Sequence, residues 1–201
     1  MFKLLIATNN PGKMVEIQAL LGERELELVT PAQLGIALEV AEDGKTYAEN
    51  ALLKGRAFAG ASGLVTLADD SGLEVEALGG QPGLHSARYV DRLGATDADR
   101  RRQLLERLRG QPRPWHARFR CWVALVAPDG EAQLAEGICE GEIMPEERGQ
   151  NGFGYDPIFL LPELGKSMAE LNLAEKNQLS HRARAVKAAL PLLEKYLTDL
   201  S

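Results

Sequence analysis

The 201-residue sequence has few of the features that mark several large classes of protein. It carries two cysteines, Cys121 and Cys139, without CxxC spacing or nearby histidines, so we expect both to be buried, reduced thiols rather than a metal or redox site. No repeat, low-complexity stretch or Ser/Pro-rich linker divides the chain. We therefore expect a single domain over residues 1–201, built as one body or as two small lobes.

The sequence also lacks a long apolar run and an excess of basic residues. Its apolar runs fall far short of the roughly 20 residues of a membrane helix, and the start MFKLLIATNN becomes polar too soon for a signal peptide. Lys and Arg total 23 against 29 Asp and Glu, a formal net charge of −6. These absences predict a cytoplasmic protein that binds neither nucleic acid nor membrane, and in which any anionic ligand meets a local cluster of cations.

Strands and helices are predicted to alternate at both ends of the chain, with a hairpin around Pro-Asp-Gly in the middle. The pattern predicts an α/β body with a mixed rather than a purely parallel sheet. Asp70-Ser71-Gly72 is expected to break one strand into two pieces, 65–69 and 73–78. The other predicted elements are strands 3–7, 25–30 and 158–161, the hairpin strands ARFRCWVALV and EAQLAEGICEGEIM, and helices from Pro11 to Gly22, from Thr46 to Ser62, from Thr96 to Leu108 and from Ser180, the last kinked or divided at Pro191.

The segment TNNPGK, Thr8 to Lys13, lies between a predicted strand and a helix start. Backbone N–H groups at a helix start attract anions, Gly12 permits close approach, and Lys13 adds a positive charge. The P-loop pattern GxxxxGK[ST] is absent, because Met14 follows Lys13. The segment is therefore either a phosphate-binding loop or an ordinary capped helix start.

The segment ADDSG sets two carboxylates side by side, which would repel each other in a desolvated site unless a cation or a donor satisfied them. Alternation along a strand directs Asp69 and Asp70 to different partners. Mg²⁺ needs only one or two carboxylates in addition to substrate phosphates, and Glu42 is a candidate second carboxylate. We expect Asp70 to face the metal and Asp69 to secure the turn or support the site indirectly; a turn capped by aspartate is the alternative.

Two further segments carry side chains suited to a nucleobase. NGFGYDP holds an aromatic residue, Phe153, between two glycines, where it could stack on a base or turn inward. Ser180-His181-Arg182 sets cations at a helix start, where the helix dipole disfavours them. A bound anion or a polar base edge would compensate for that placement, whereas a solvated basic face is the usual outcome.

Taken in order, TNNPGK, TYAENALLKGRA, ADDSGLEV, PGLHSARY, GFGYDPIF and SHRARAVKAAL resemble the inosine triphosphate pyrophosphatase family, which removes deaminated purine nucleotides. The six blocks run from residue 8 to about residue 190. The resemblance implies a homodimeric α/β fold of two lobes around a long curved mixed β-sheet with flanking helices, with the active site in the cleft between the lobes. It also implies Mg²⁺-dependent hydrolysis of ITP, dITP and XTP to the monophosphate and pyrophosphate.

The resemblance assigns roles position by position. It implies that the triphosphate is bound by Thr8, Asn9, Asn10, Pro11, Gly12 and Lys13, with Lys54 and Ser71 also on the substrate. It implies Glu42 and Asp70 as metal ligands, with Asp70 also the base that activates water. The base and sugar would be lined by Phe153, Gly154, Tyr155, Asp156, Lys176, His181 and Arg182.

Donors from Lys176 and Arg182 would suit the 6-oxo group of hypoxanthine or xanthine and would oppose the 6-amino group of adenine, at a cost of roughly 1–3 kcal/mol. Guanine shares the 6-oxo group, so its rejection must involve the 2-amino position. Two alternatives stay open at this point. One is a nucleotide-binding module without turnover, and the other is a pyrophosphatase acting on modified pyrimidine nucleotides.

Overall fold

The computed structural model describes residues 1–22 and 24–198, which form five α-helices and a seven-stranded sheet within that part of the chain. The strands run in the spatial order β2-β1-β3-β4-β5-β6-β7. The strands are β1 Phe2–Ile6, β2 Leu26–Val29, β3 Thr66–Val75, β4 Trp115–Val126, β5 Ala132–Ile143, β6 Phe159–Leu161 and β7 Lys166–Ser167. The helices are α1 Pro11–Leu21, α2 Tyr47–Ser62, α3 Asp97–Leu108, α4 Leu173–Leu179 and α5 His181–Thr198.

The sheet is mixed, as the sequence predicts. Strand β1 pairs in parallel with β2 and with β3, whereas β6 is antiparallel to both β5 and β7. The described helices are too short or too polar for any of them to span a bilayer. The α/β class with a mixed sheet and flanking helices is therefore confirmed.

The chain divides into two compact units. The first comprises Met1–Asp70, Cys121–Gly137 and the C-terminal segment that begins at His181, and the second comprises Ser71–Arg120 and Ile138–Ser180. The predicted placement of the active site in a cleft stays a prediction.

In the first unit, helices cover both faces of the sheet. Leu4 and Ile6 of β1 belong to a buried cluster that includes Val186 of α5, whereas Leu5 packs in a separate cluster with Phe58 of α2. A strand covered on both faces buries consecutive side chains, as at residues 4–6, and for this reason this part of β1 reads as a continuous apolar run rather than an alternating one.

Strand β4 shows both kinds of burial along its length. In the second unit, Trp115, Ala117 and Phe119 are buried and the residues between them are exposed or partly exposed. In the first unit, the run 123–126 is buried at every position. The change from alternation to a continuous apolar run marks where the strand acquires cover on its second face.

The helix boundaries follow the local signals in the sequence. Asn10 caps α1, and Thr46 and Thr96 cap α2 and α3 by accepting backbone N–H bonds from the third helical residue. Gly63 ends α2 in the left-handed conformation. Pro191 lies inside α5 and does not divide it.

The predicted break at Asp70-Ser71-Gly72 is wrong. Strand β3 runs without interruption from Thr66 to Val75, and residues 76–78 form a short 3-10 helix instead of a strand end. The turn preference of Ser-Gly is weak compared with hydrogen bonding to neighbouring strands. Strand β3 lies between β1 and β4 in the sheet. Pairing with these neighbours keeps the polar segment extended.

Three shorter features also differ from the expectation. Residues 156–158 form a 3-10 helix, so the predicted strand 158–161 begins at Phe159. Strand β7 and helix α4 contain two and seven residues, too few for periodicity to predict them. Both cysteines are free and buried, as expected.

Candidate active site

The loop after β1 is organised by its own side chains. The backbone N–H of Asn10 donates to Thr8 Oγ1 at 3.1 Å, and Asn10 Oδ1 accepts from the backbone N–H groups of Gly12 at 2.9 Å and Lys13 at 3.2 Å. Two of the donors predicted to bind phosphate are thus occupied by the asparagine cap. Asn9, Asn10 and Pro11 are exposed, and Thr8, Gly12 and Lys13 are partly exposed. The loop contributes its positive charge through Lys13.

Asp69 lies at the centre of a buried charge network in the first unit, which we call the Asp69 network: Lys13, Asp69, Arg182 and Glu16. Lys13 Nζ lies 2.9 Å from Asp69 Oδ2, and Arg182 Nε donates to the same oxygen at 3.2 Å. Arg182 Nη1 also contacts Glu16 Oε2. Because both Asp69 and Arg182 are only 1% exposed, their charges are compensated by each other rather than by water.

The network keeps Asp69 ionised. Burial opposes its charge, but Lys13, Arg182 and Lys54 outweigh burial and hold the pKa of Asp69 well below its ordinary value of 3.8. Burial likewise opposes the charge of Arg182, and Asp69 and Glu16 raise its pKa above the ordinary value. A nucleobase that contacts Arg182, as the sequence predicts, must therefore compete with two buried carboxylates.

Helix α5 can bring Arg182 to this position because β5 has a glycine, Gly137, where the first turn of the helix packs against the strand. A Cβ atom on Gly137 would lie 2.1 Å from the carbonyl oxygen of His181 and 2.3 Å from the backbone nitrogen of Ala185. Any larger residue at this position would push the first turn of α5 away from the strand. His181, the first residue of that helix, is itself buried.

Asp70 has different partners from its neighbour, as alternation along a strand requires. Its Oδ2 accepts from Asn50 Nδ2 of α2 at 3.0 Å. Burial raises the pKa of Asp70, and the negative charge of Glu42 raises it further, against the opposing effects of Asn50, Lys13 and Lys54. The pKa values of the two adjacent aspartates are therefore shifted in opposite directions.

Lys54 contacts both Glu42 and Asp69 in the first unit. Its Nζ forms an ion pair with Glu42 Oε1 and donates to the carbonyl oxygen of Asp69 at 3.0 Å. Burial opposes its charge, but Asp69 and Glu42 outweigh burial and raise the pKa of Lys54. The side chain reaches both groups from α2, one turn after Asn50 on the same helix.

Glu42 and Asp70 are the two carboxylates of the first unit that could hold a divalent cation through oxygen ligands. No group of three or more His, Cys, Asp or Glu side chains suited to a metal occurs in residues 1–22 and 24–198. Mg²⁺ retains several waters and takes the rest of its ligands from one or two carboxylates and substrate phosphates, so a pair is sufficient. The Glu42 charge that raises the pKa of Asp70 is the repulsion that a cation would relieve.

The second unit holds a separate polar group in the glycine-rich loop, which we call the aromatic loop: residues 152–156. Asp156 Oδ2 accepts from Lys176 Nζ at 2.6 Å and from the Phe153 backbone N–H at 2.9 Å. The Lys176 ammonium lies 5.0 Å from the centre of the partly exposed Phe153 ring. The loop thus combines an aromatic face with a cation held by a buried carboxylate.

Gly152 allows the aromatic loop to close on Asp156. Its φ is +74°, and a Cβ atom there would lie 2.1 Å from Asp156 Oδ2. Tyr155 is fixed in the core, where its hydroxyl donates to the Ser86 carbonyl oxygen at 2.9 Å and burial raises its pKa. Any contact of Tyr155 with a ligand would therefore come from its backbone.

Ser71 follows Asp70 in β3 and is partly exposed.

Sequence reasoning missed two polar residues that hold the predicted ones. Asn50 orients Asp70 and also accepts the backbone N–H of Gly44 at 2.8 Å. Glu16 is the second carboxylate on Arg182. A signal existed for both: Asn50 lies one turn before Lys54 in α2, and Glu16 lies three residues after Lys13, on the same side of α1.

Residues 4–192 match the sequence model of the Ham1 family. The chain is 49% identical over 197 residues to a dITP/XTP pyrophosphatase of Thermus thermophilus, with 96% of this chain and 91% of the relative covered. It is 44% identical over 194 residues to the dITP/XTP pyrophosphatase of Desulforamulus reducens, with 96% of each chain covered.

Solved structures show the same similarity. A HAM1 protein from Coxiella burnetii superposes with a TM-score of 0.87 at 38% identity, covering 97% of this chain and all of that chain. A nucleoside-triphosphatase, dITP/XTP pyrophosphatase, from Mycobacterium abscessus gives a TM-score of 0.74 at 42% identity, covering 94% of this chain and all of that chain. The resemblance inferred from the six sequence blocks is confirmed.

Proposed function

The chain belongs to the Ham1 family, and we propose that it is a nucleoside triphosphate pyrophosphatase that hydrolyses ITP, dITP and XTP to the monophosphate and pyrophosphate. The activity would remove deaminated purine nucleotides before they enter DNA or RNA. The observation that carries the proposal is the pair Asp70 and Glu42 beside Lys54, in a chain 49% identical to a dITP/XTP pyrophosphatase. Carboxylates of this kind are needed for hydrolysis and not for binding alone.

In the proposed reaction, water attacks the α-phosphorus and pyrophosphate leaves. Negative charge grows on the phosphate oxygens, and the nearby cations of the first unit, Lys13 and Lys54, neutralise it. Both lysine side chains are 15% exposed, so phosphate oxygens can reach them. The Thr8 to Lys13 segment would hold the remaining phosphates, with Ser71 next to the metal ligand Asp70.

Glu42 and Asp70 are the proposed ligands of Mg²⁺. The bound cation would supply neutralisation of the triphosphate and a lower pKa for water. Asp70 would orient the attacking water and accept its proton, while Asn50 fixes the carboxylate through its 3.0 Å hydrogen bond. Asp69, which is already paired with Lys13 and Arg182, would hold Lys13 in place rather than touch the water.

The aromatic loop is the proposed site for the base. Phe153 would stack on the purine ring, and Lys176 would donate to the 6-oxo group. Adenine presents a 6-amino donor there, so a donor would face a donor at a cost of about 1–3 kcal/mol. His181 and Arg182 remain proposed contributors, although Arg182 donates to carboxylates in this structure.

Product analysis tests the proposed reaction. With ITP and Mg²⁺, the protein should release IMP and pyrophosphate; release of IDP and orthophosphate would contradict the assignment of the cleaved bond. The Asp70→Asn variant should bind ITP without hydrolysing it. If the wild type also binds ITP tightly without hydrolysis, the protein is a binding module and the proposal fails.

We further propose that the enzyme is a homodimer and acts in the cytoplasm. The support for both is the resemblance to the pyrophosphatase family. Light scattering of the purified protein tests the oligomeric state, since a monomer would give a mass close to 21.9 kDa.

A further inference from the structure

Helix α3 forms two hydrogen bonds with the aromatic loop at its central glycine, Gly154. The Gly154 backbone N–H donates to Asp97 Oδ2 at 2.7 Å, and the Gly154 carbonyl oxygen accepts from Arg101 Nη1 at 2.8 Å. Asp97 and Arg101 are four residues apart, so they lie on the same face of the helix, one turn from each other. One turn of α3 therefore contacts both peptide units that flank Gly154.

Arg101 is itself fixed by a second contact. Its Nε and Nη2 each lie 2.9 Å from an oxygen of Glu147, which forms a two-point ion pair. The Arg101 side chain is largely buried, whereas the adjacent Arg102 is exposed and pairs with Asp99 in the same helix. Arg101 thus differs from its neighbour in reaching out of α3 to the segment that leads into the aromatic loop.

The two contacts hold the residue that follows Phe153 in the chain. Gly154 separates Phe153 from Tyr155, whose side chain is anchored in the core. With a φ of +62°, Gly154 occupies a backbone region open mainly to glycine, and hydrogen bonds to the two peptide units that flank it restrict their rotation. Asp97 and Arg101 supply those bonds from outside the loop.

We propose that Asp97 and Arg101 are positioning residues for purine recognition, acting through the Gly154 peptides to hold Phe153 in its stacking orientation. The inference rests on the proposed function, because it assigns the base to the aromatic loop. Neither residue touches the substrate. Their loss should weaken binding of the base and leave the hydrolytic step unchanged.

Steady-state kinetics with ITP test the proposal. Asp97→Ala and Arg101→Gln should each raise KM about tenfold, the equivalent of one charged hydrogen bond, with kcat within about twofold of wild type. Inhibition by tripolyphosphate, which has no base, should not change. An unchanged KM, or an equal loss of tripolyphosphate affinity, would overturn the assignment.

Matched variants separate positioning from folding. Asp97→Asn keeps an acceptor oxygen and should restore most of the affinity lost in Asp97→Ala. Arg102→Gln removes an ion pair of α3 that does not reach the loop, and Arg100→Gln removes the Arg100–Asp97 pair while Asp97 still faces Gly154. Both controls should keep the wild-type KM; a rise equal to that in Asp97→Ala would show that helix stability is responsible.

Hydrogen exchange at Gly154 gives a readout that does not depend on catalysis. The Gly154 amide should exchange at least about tenfold faster in Asp97→Ala than in wild type, because its acceptor is lost. If wild type fails to cleave ITP and this change still occurs, the proposed function fails while the contact stands. If exchange is unchanged, Asp97 does not hold the loop and the inference is wrong.

Discussion

The two units hold their candidate functional groups by different physical means. In the first unit the Asp69 network joins two positive and two negative charges, with partners that come from three separate parts of the chain. In the second unit one lysine and one carboxylate, Lys176 and Asp156, fasten a glycine-rich turn that carries an aromatic ring. In the proposed function, the first unit serves the phosphates through Lys13 and Lys54, and the second serves the flat, nearly neutral base through Phe153 and Lys176.

The difference predicts a division of labour. Changes in the first unit should alter the rate of hydrolysis or the stability of the protein for every nucleotide. Changes in the second unit should alter which nucleotide is preferred. Variants in each unit can break this distinction.

Asp70→Asn should have the largest effect on activity. We expect kcat for ITP to fall about 10³-fold, because the amide neither accepts a proton nor binds a divalent cation as a carboxylate does. Isothermal calorimetry should still detect ITP binding. Because burial and Glu42 raise the pKa of Asp70, its ionised form opposes folding, and removal of the charge should not lower the melting temperature at pH 7. A variant with more than a tenth of wild-type activity would contradict the role of Asp70.

Asp69→Asn should have the largest effect on stability. It leaves Arg182 and Lys13 short of a buried partner, which costs about 3–5 kcal/mol of unfolding free energy. Urea denaturation measures this loss. The kcat of Asp69→Asn should fall less than that of Asp70→Asn. The reverse ranking would show that the roles of the two neighbours are interchanged. Lys3→Gln, which removes an exposed ion pair with Glu27, is the matched control and should cost less than about 1 kcal/mol.

Lys176→Gln should change selectivity more than rate. The amide can still donate to Asp156, so the fold is retained, but the positive donor opposite the 6-oxo group is lost. We expect the preference for ITP over ATP to fall about tenfold, with a smaller effect on kcat. Lys166→Gln alters an exposed lysine of the same unit and should leave the preference unchanged. Equal losses for ITP and ATP would place Lys176 in phosphate binding instead.

An acid-induced loss of stability in α3 is the smallest expected effect. Hydrogen bonds from the Thr96 backbone and hydroxyl lower the pKa of Asp99 from 3.8 to about 2. Since the folded-state pKa is the lower one, this stabilisation is complete above the unfolded pKa and is lost as pH falls from about 4 towards 2. Wild type should therefore be more stable than Asp99→Asn at pH 6, and the difference should shrink at pH 3. A difference that is as large at pH 3 as at pH 6 would exclude the carboxylate charge as its source.

Local features of the fold could be predicted from the sequence because local chemistry sets them. The caps at Asn10, Thr46 and Thr96 depend on residues within three positions, and the structure has the helices there. The break at Ser71-Gly72 was wrong because pairing with neighbouring strands outweighs the turn preference of the two residues.

The candidate site shows the same limit. Alternation correctly gave Asp69 and Asp70 different partners, although the strand does not break. The spacing of Glu16 from Lys13 indicates that both lie on the same side of α1, but no local pattern predicts the contact of Glu16 with Arg182, 166 positions away. A cation at the start of α5 suggested an external anion; the structure supplies protein carboxylates instead.

One measurement tests the division of labour most directly: kcat/KM of wild type and Lys176→Gln for ITP, XTP, dUTP, ATP and GTP under identical Mg²⁺ conditions. We predict that wild type prefers ITP and XTP over ATP, and that the variant loses this preference while it still releases pyrophosphate. Equal rates of wild type on ITP and ATP, or a preference for dUTP, would contradict the assignment of purine selection to the aromatic loop.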